Sequence, residues 1–229
     1  MSLCDTCCVK HNCVKHANGY EEESIFCIKN FKMNSLYNMS LMSEKQRQHT
    51  DLHIDADGTD KEMFSLLKQY EDHILDFVTQ GRNMYIYSSN CGNGKTSWSL
   101  RLAQSYLNKI WYSTPTECKV LFINVPKFFI KLKDNIGSTN EYITHIKKYV
   151  ADCDLVVWDD IGTKVGTEFE VENLLNIINN RIDNGKSNIY TSNIQPEELR
   201  SCLGDRLYSR VINMSSLIHL QGKDKRGLN

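Results

Sequence analysis

An excess of charge of either sign is missing from this sequence: 27 lysines and arginines stand against 28 aspartates and glutamates, leaving a net charge of −1. Composition therefore gives no sign of a nucleic-acid binder, and any such surface has to be a local patch. Long apolar runs are missing as well. The longest are the size of one strand, and the opening Met1-Ser-Leu-Cys-Asp5 lacks the basic region and apolar stretch of an export signal. No membrane association is expected, and the expected compartment is the cytoplasm. What is present is length, since 229 residues suffice to bury the core of one α/β domain with a small appendage. Cysteine is plentiful for a compartment where disulfides rarely persist, and five of the nine fall within the first 27 residues.

That clustering points to metal. Cys4, Cys7, Cys13 and Cys27 supply four thiolates in a stretch too short and too polar to fold on its own apolar core. A tetrahedral Zn²⁺ would provide the missing stability, with Cys8, His11 and His16 as alternate ligands; an iron–sulfur cluster uses a similar set. Cys91, Cys118, Cys153 and Cys202 are scattered singly and read as small apolar or loop residues. Beyond Cys27, apolar residues at 28, 31, 36, 39 and 42 recur with a roughly helical period, which suits either packing on the same domain or docking to a partner. Residues 43–60 are polar without a sustained period and read as a linker. The expected organisation is thus a cysteine-rich, partner-docking segment over 1–42, the linker, and a main domain over 61–229.

The main domain is organised around the stretch from Tyr85 to Arg101, which reads as a buried strand, a glycine-bearing loop and a helix start in succession. The loop Ser89-Asn90-Cys91-Gly92-Asn93-Gly94-Lys95-Thr96, followed by Ser97, has the spacing of a phosphate cradle. Glycines let the backbone wrap an anion, Lys95 reaches the β and γ phosphates, and the Thr96 hydroxyl ligates Mg²⁺ at the positive end of the helix. Ser89 stands where the first glycine of that pattern belongs. One helix is predicted over 61–79, strands at 84–87, 119–125, 154–159 and 187–192, and helices at 127–133, 141–150 and 169–183. Strands alternating with helices imply a parallel sheet covered on both faces.

Two acidic residues, Asp159 and Asp160, close the strand Leu155-Val-Val-Trp, where open α/β sheets bind ligands. Asp159 is placed to hold Mg²⁺, and Asp160 to orient or deprotonate a water. Thr191-Ser192-Asn193 ends the next strand, with the Asn193 amide expected beside the γ-phosphate. Arg206 and Arg210 lie four apart in Gly204-Asp-Arg-Leu-Tyr-Ser-Arg210, and Gly222-Lys-Asp-Lys-Arg226 ends the chain's motifs.

In this order the motifs resemble those of the AAA+ ATPases of the DnaC/DnaI helicase-loader type, a P-loop NTPase fold, over about residues 60 to 229. The resemblance implies ATP hydrolysis, a sensor 1 role for Asn193, an arginine finger at Arg210 with Arg206 as alternate, a sensor-2-like Arg226, and no C-terminal lid domain. It also implies an ATP-dependent homo-oligomer on single-stranded DNA that serves a replicative hexameric helicase. Lys127, Lys131, Lys133, Lys147 and Lys148 form the nearest thing to a basic patch for that strand. Transposition helper ATPases of the IstB type share the motifs but act on duplex DNA and a transposase. A third reading is an adaptor that binds nucleotide and blocks a replication partner without turnover.

Overall fold

The computed structural model describes residues 28–48, 52, 58–135, 139–163 and 165–225. The proposed zinc ligands Cys4, Cys7, Cys13 and Cys27 and the sensor-2-like Arg226 lie outside these residues.

Five runs form one parallel sheet: β1 (Asn83–Tyr87), β2 (Val120–Asn124), β3 (Leu155–Asp159), β4 (Ser187–Ser192) and β5 (Ser215–His219), in the spatial order β2-β3-β4-β1-β5. Period-two alternation divides their side chains between two cores. Met84, Ile86, Val120, Phe122, Leu155, Val157, Ile189 and Ile218 face one side. There they meet α1 (Ile28–Met39), α3 (Lys61–Asp72), α4 (Ile74–Thr79) and α5 (Lys95–Ile110) through Met33, Leu36, Leu67, Ile74, Trp98 and Leu102. Tyr85, Leu121, Ile123, Val156, Trp158 and Tyr190 face the other. That side is covered by α6 (Val125–Asp134), α7 (Glu141–Tyr149), α8 (Glu168–Asp183) and α9 (Pro196–Ile212). The short α2 (Glu44–Arg47) is closed by a capping box between Ser43 and Gln46.

The apolar stripe after Cys27 packs on the main domain. Met33, Leu36, Tyr37 and Met42 are buried in the first core, and the carbonyl of Ser40 accepts from the amide of Phe122 at 2.8 Å, covering the outer edge of β2. Within 43–60, α2 supplies the carbonyl of Gln46, which accepts from Gln104 at 2.7 Å.

One expectation differs from the structure, and two features were not foreseen. The helix over 61–79 is interrupted at His73 (φ −103, ψ 26). Lys109 donates to the carbonyls of Glu71 and Asp72 there, satisfying acceptors that a continuous helix would hold internally. α9 likewise leaves helical geometry at Gly204 (φ 77, ψ 165), placing Arg206 and Arg210 on its last turns. Strand β5 was not legible because it is a polar edge strand, with Ile218 its one deeply buried residue. No helix among the described residues is long and apolar enough to cross a membrane.

At the amino edge of the sheet a buried cation ties three elements together. Arg181 of α8 is fully buried and donates to the carbonyls of Val150 (2.6 Å), Cys153 (3.0 Å) and Ser187 (2.6 Å) and to Oδ1 of Asn188 (2.8 Å).

Candidate nucleotide-binding site

The loop between β1 and α5 lies at the carboxyl edge of the sheet. Gly92 (φ 72) and Gly94 (φ 103) adopt the left-handed conformation that makes side chains costly. Ser89 does not: the non-glycine residues of positive φ among those described are Leu41, Asp60 and Asp160, so the turn at Ser89 does not demand glycine. Its hydroxyl instead accepts from Gln195 at 3.1 Å. α5 begins with Gly94 as N-cap and no side-chain cap, which leaves its first amides open to an anion. Lys95 is 6 % exposed, with Nζ 2.7 Å from the carbonyl of Asn90 and 3.2 Å from Oδ1 of Asn93. Phosphate oxygens could take the place of these acceptors. The side chains of Asn90 and Asn93 shape the loop, Asn93 donating to Ser88 Oγ at 2.7 Å. Cys91 is exposed, and Ser97 is half-buried on the first turn of α5.

Asp159 ends β3 directly below this loop. Its Oδ1 accepts from the hydroxyls of Thr96 (2.9 Å) and Thr191 (2.8 Å), so the loop and the strand end are joined. Two hard oxygen ligands side by side at a helix start suit Mg²⁺, which takes few protein ligands beside substrate phosphates. Asp160 follows at φ 59, with its amide donating to Thr191 Oγ1 at 3.0 Å. Asn193 donates to Asp160 Oδ1 at 3.2 Å, and Asn124 donates to Oδ2 of Asp160 (3.3 Å) and Oδ2 of Asp159 (3.4 Å). Burial, and secondarily the charge of Asp159, raise the Asp160 carboxyl above its ordinary 3.8, opposed by Lys95 and the two asparagine amides.

The structure therefore brings together Ser89 to Ser97, Asp159, Asp160 and Asn193. Arg206 and Arg210 are elsewhere. Arg206 is exposed, and Arg210, 4.0 Å from Asp183, occupies the last turn of α9 near the amino edge of the sheet, opposite Lys95. Of the lysine patch, Lys131 pairs with Asp134 and Lys133 with Glu170, while Lys127 and Lys148 stand over the rings of Tyr142 and Tyr149. Asn124 and Thr191 carry roles that sequence reasoning missed. The signal for Asn124 was its place as the polar end of a buried strand, and it lies in register with Asp159.

A parallel sheet bearing this loop, paired strand-end carboxylates and an adjacent asparagine has the architecture of a P-loop nucleotide-binding domain of the AAA+ kind. A profile of the bacterial DnaA ATPase domain matches residues 73–216, and the chain belongs to that family. It is 29% identical over 143 residues to the chromosomal replication initiator protein DnaA of Mycoplasma capricolum, covering 62% of this chain and 30% of that protein. The chain thus spans less than a third of the length of that relative. A crystal structure of the DnaC helicase loader matches with a TM-score of 0.59 and 20% identity, covering 74% of this chain and 93% of the other. The replication initiator DnaA bound to AMPPCP and single-stranded DNA matches with a TM-score of 0.55 and 20% identity, covering 73% and 48%. At these identities the two solved structures establish a shared fold.

Proposed function

We propose that this protein binds and hydrolyses ATP with Mg²⁺ and uses the cycle to place a hexameric replicative helicase on single-stranded DNA during replication initiation. The observation that carries the reading is the contact between Thr96 and Asp159, which sets two oxygens that would share a Mg²⁺ beside an open helix start and a lysine. Mg²⁺ bound there would neutralise charge on the transferring phosphoryl oxygens. Asp160, steadied by Asn124 and Asn193, would orient or deprotonate the attacking water.

Arg210 is at the opposite edge of the sheet from Lys95, which favours its acting on a neighbouring subunit's nucleotide and hence a homo-oligomer formed with ATP. Single-stranded DNA would run past α6 and α7, where Lys127 with Tyr142 and Lys148 with Tyr149 pair cations with aromatic faces. The thiolates of Cys4, Cys7, Cys13 and Cys27 would hold Zn²⁺ in a segment that docks to the helicase. A structural zinc would be found as about one ion per chain and lost when any of the four becomes serine.

The test is retention of host proteins by the immobilised full-length chain with an ATP analogue, with ADP and without nucleotide. Replicative helicase retained with the analogue and released with ADP is expected. A transposase retained in its place would mean a transposition helper, and helicase retained without regard to nucleotide would mean an adaptor.

A further inference from the structure

Asp60 is the N-cap of α3, yet it lies in the left-handed region (φ 67, ψ 8) and its side chain makes no cap hydrogen bond. Aspartate at this position ordinarily accepts from the first turn of its own helix. The Asp60 carboxylate instead reaches the chain beyond β5, where the amides of Gln221 and Gly222 donate to Oδ1 and Oδ2, each at 2.7 Å. Successive amides on the two oxygens of one carboxylate form a charge-assisted pair that a neutral side chain does not reproduce.

The same two residues are held from the other side by the phosphate loop. Asn90 donates to the carbonyls of Gln221 (3.0 Å) and Gly222 (3.2 Å), and Asn93 to that of Leu220 (3.2 Å). The amide of Lys225 donates to the carbonyl of Gly92 at 2.9 Å, while that of Leu220 is anchored on Tyr87 at 2.9 Å. Residues 220–225 thus run along the outside of the loop, gripped at their amides by Asp60 and at their carbonyls by Asn90. A loop that holds an anion with its backbone needs a fixed shape, and two glycines at positive φ do not fix it by themselves. Asn90 and Asn93 are also the acceptors of Lys95, so bracing them braces the lysine.

We propose that Asp60 is a positioning residue for nucleotide binding: it latches the extension 220–225 against the turn Asn90–Gly92 and so sets the loop presented to the phosphates. This rests on the reading that the loop binds a nucleoside triphosphate. Asp60→Asn in the full-length chain isolates the latch, because asparagine tolerates positive φ and caps a helix as well as aspartate does, but offers one acceptor oxygen in place of two. Asp60→Gly, which suits φ 67, serves as the second variant should the first fail to fold. ATP affinity is measured with Mg²⁺ present, and hydrogen–deuterium exchange over 220–225 without nucleotide.

The expected result is about tenfold weaker affinity and faster exchange in the extension, with turnover at saturating ATP within about twofold of the parent. The double variant with Asn90→Ala should bind little more weakly than Asn90→Ala alone, since both residues act through one strap. Unchanged affinity, unchanged exchange, or effects that add in the double variant would each overturn the latch. A parent chain that binds no ATP would instead defeat the nucleotide reading, and this role with it, whatever the exchange shows.

Discussion

Thr96 and Asp159, 63 residues apart in the chain, meet through a 2.9 Å hydrogen bond at the carboxyl edge of the sheet. Thr191 places a second hydroxyl on the same oxygen, so the carboxylate is oriented before any metal arrives. Thr96→Ala should leave nucleotide affinity in chelator nearly unchanged while removing most of the gain on adding Mg²⁺, with turnover lower by about a hundredfold. Titration of Mg²⁺ at fixed ATP checks this, and an unaltered Mg²⁺ dependence would separate the hydroxyl from the metal.

Asp160 is the group expected to set a pH dependence. Its carboxyl is raised above 3.8 by burial and by Asp159, so the folded state holds the proton more tightly than the unfolded chain does. The stabilisation this gives is complete below the ordinary value and is lost as pH rises through the folded one. Near pH 7 the burial of the ionised form is therefore a cost to the fold, offset in part by Lys95 and the amides of Asn124 and Asn193, and Asp160→Asn should abolish turnover. The acid limb of turnover should lie above the ordinary carboxylate range. Asn193→Ala, which removes a hydrogen bond that favours the charge, should move that limb to higher pH.

Much of this fold was legible from local pattern. Met84 and Ile86 face one core and Tyr85 the other because alternation sorts any strand buried on both faces, and Gly92 and Gly94 mark the loop by their backbone freedom. What escaped is non-local. The break at His73 depends on an ammonium from Lys109, the site asparagine at 124 on its register with Asp159, and the use of Asp60 on amides more than 160 residues away. β5 lacks a pattern of its own and is a strand because β1 offers it an edge.

Arg181 tests the packing without touching the site. Arg181→Met removes the donors to three carbonyls and the Asn188 amide oxygen in a region closed to water. A loss of about 3 kcal/mol is expected, because buried acceptors left unsatisfied cost more than the hydrogen bonds gain. Chemical denaturation measures it, and a change within ~0.5 kcal/mol would show that the site repacks or admits water.

Arg210 tests assembly. Arg210→Ala should bind ATP normally and lose hydrolysis, since positive charge at the transferring phosphoryl group would be missing. Mixing it with Lys95→Ala should restore some turnover, because a mixed interface pairs an intact loop with an intact arginine. Mixtures that co-assemble yet never exceed the sum of the separate variants would place the arginine's action within its own chain. Undiminished turnover by Arg210→Ala alone would move the role to Arg206 or remove it.

The most direct measurement is equilibrium binding of ATP with Mg²⁺ to the parent chain and to Lys95→Ala. Lys95 is the cation buried within the loop, held 2.7 Å from the Asn90 carbonyl at the start of an uncapped helix. Saturable binding by the parent and at least about a hundredfold weaker binding by the variant, which should still unfold cooperatively in the absence of nucleotide, is the predicted result. Equal affinity of the two proteins, or no binding by the parent, would contradict the nucleotide site.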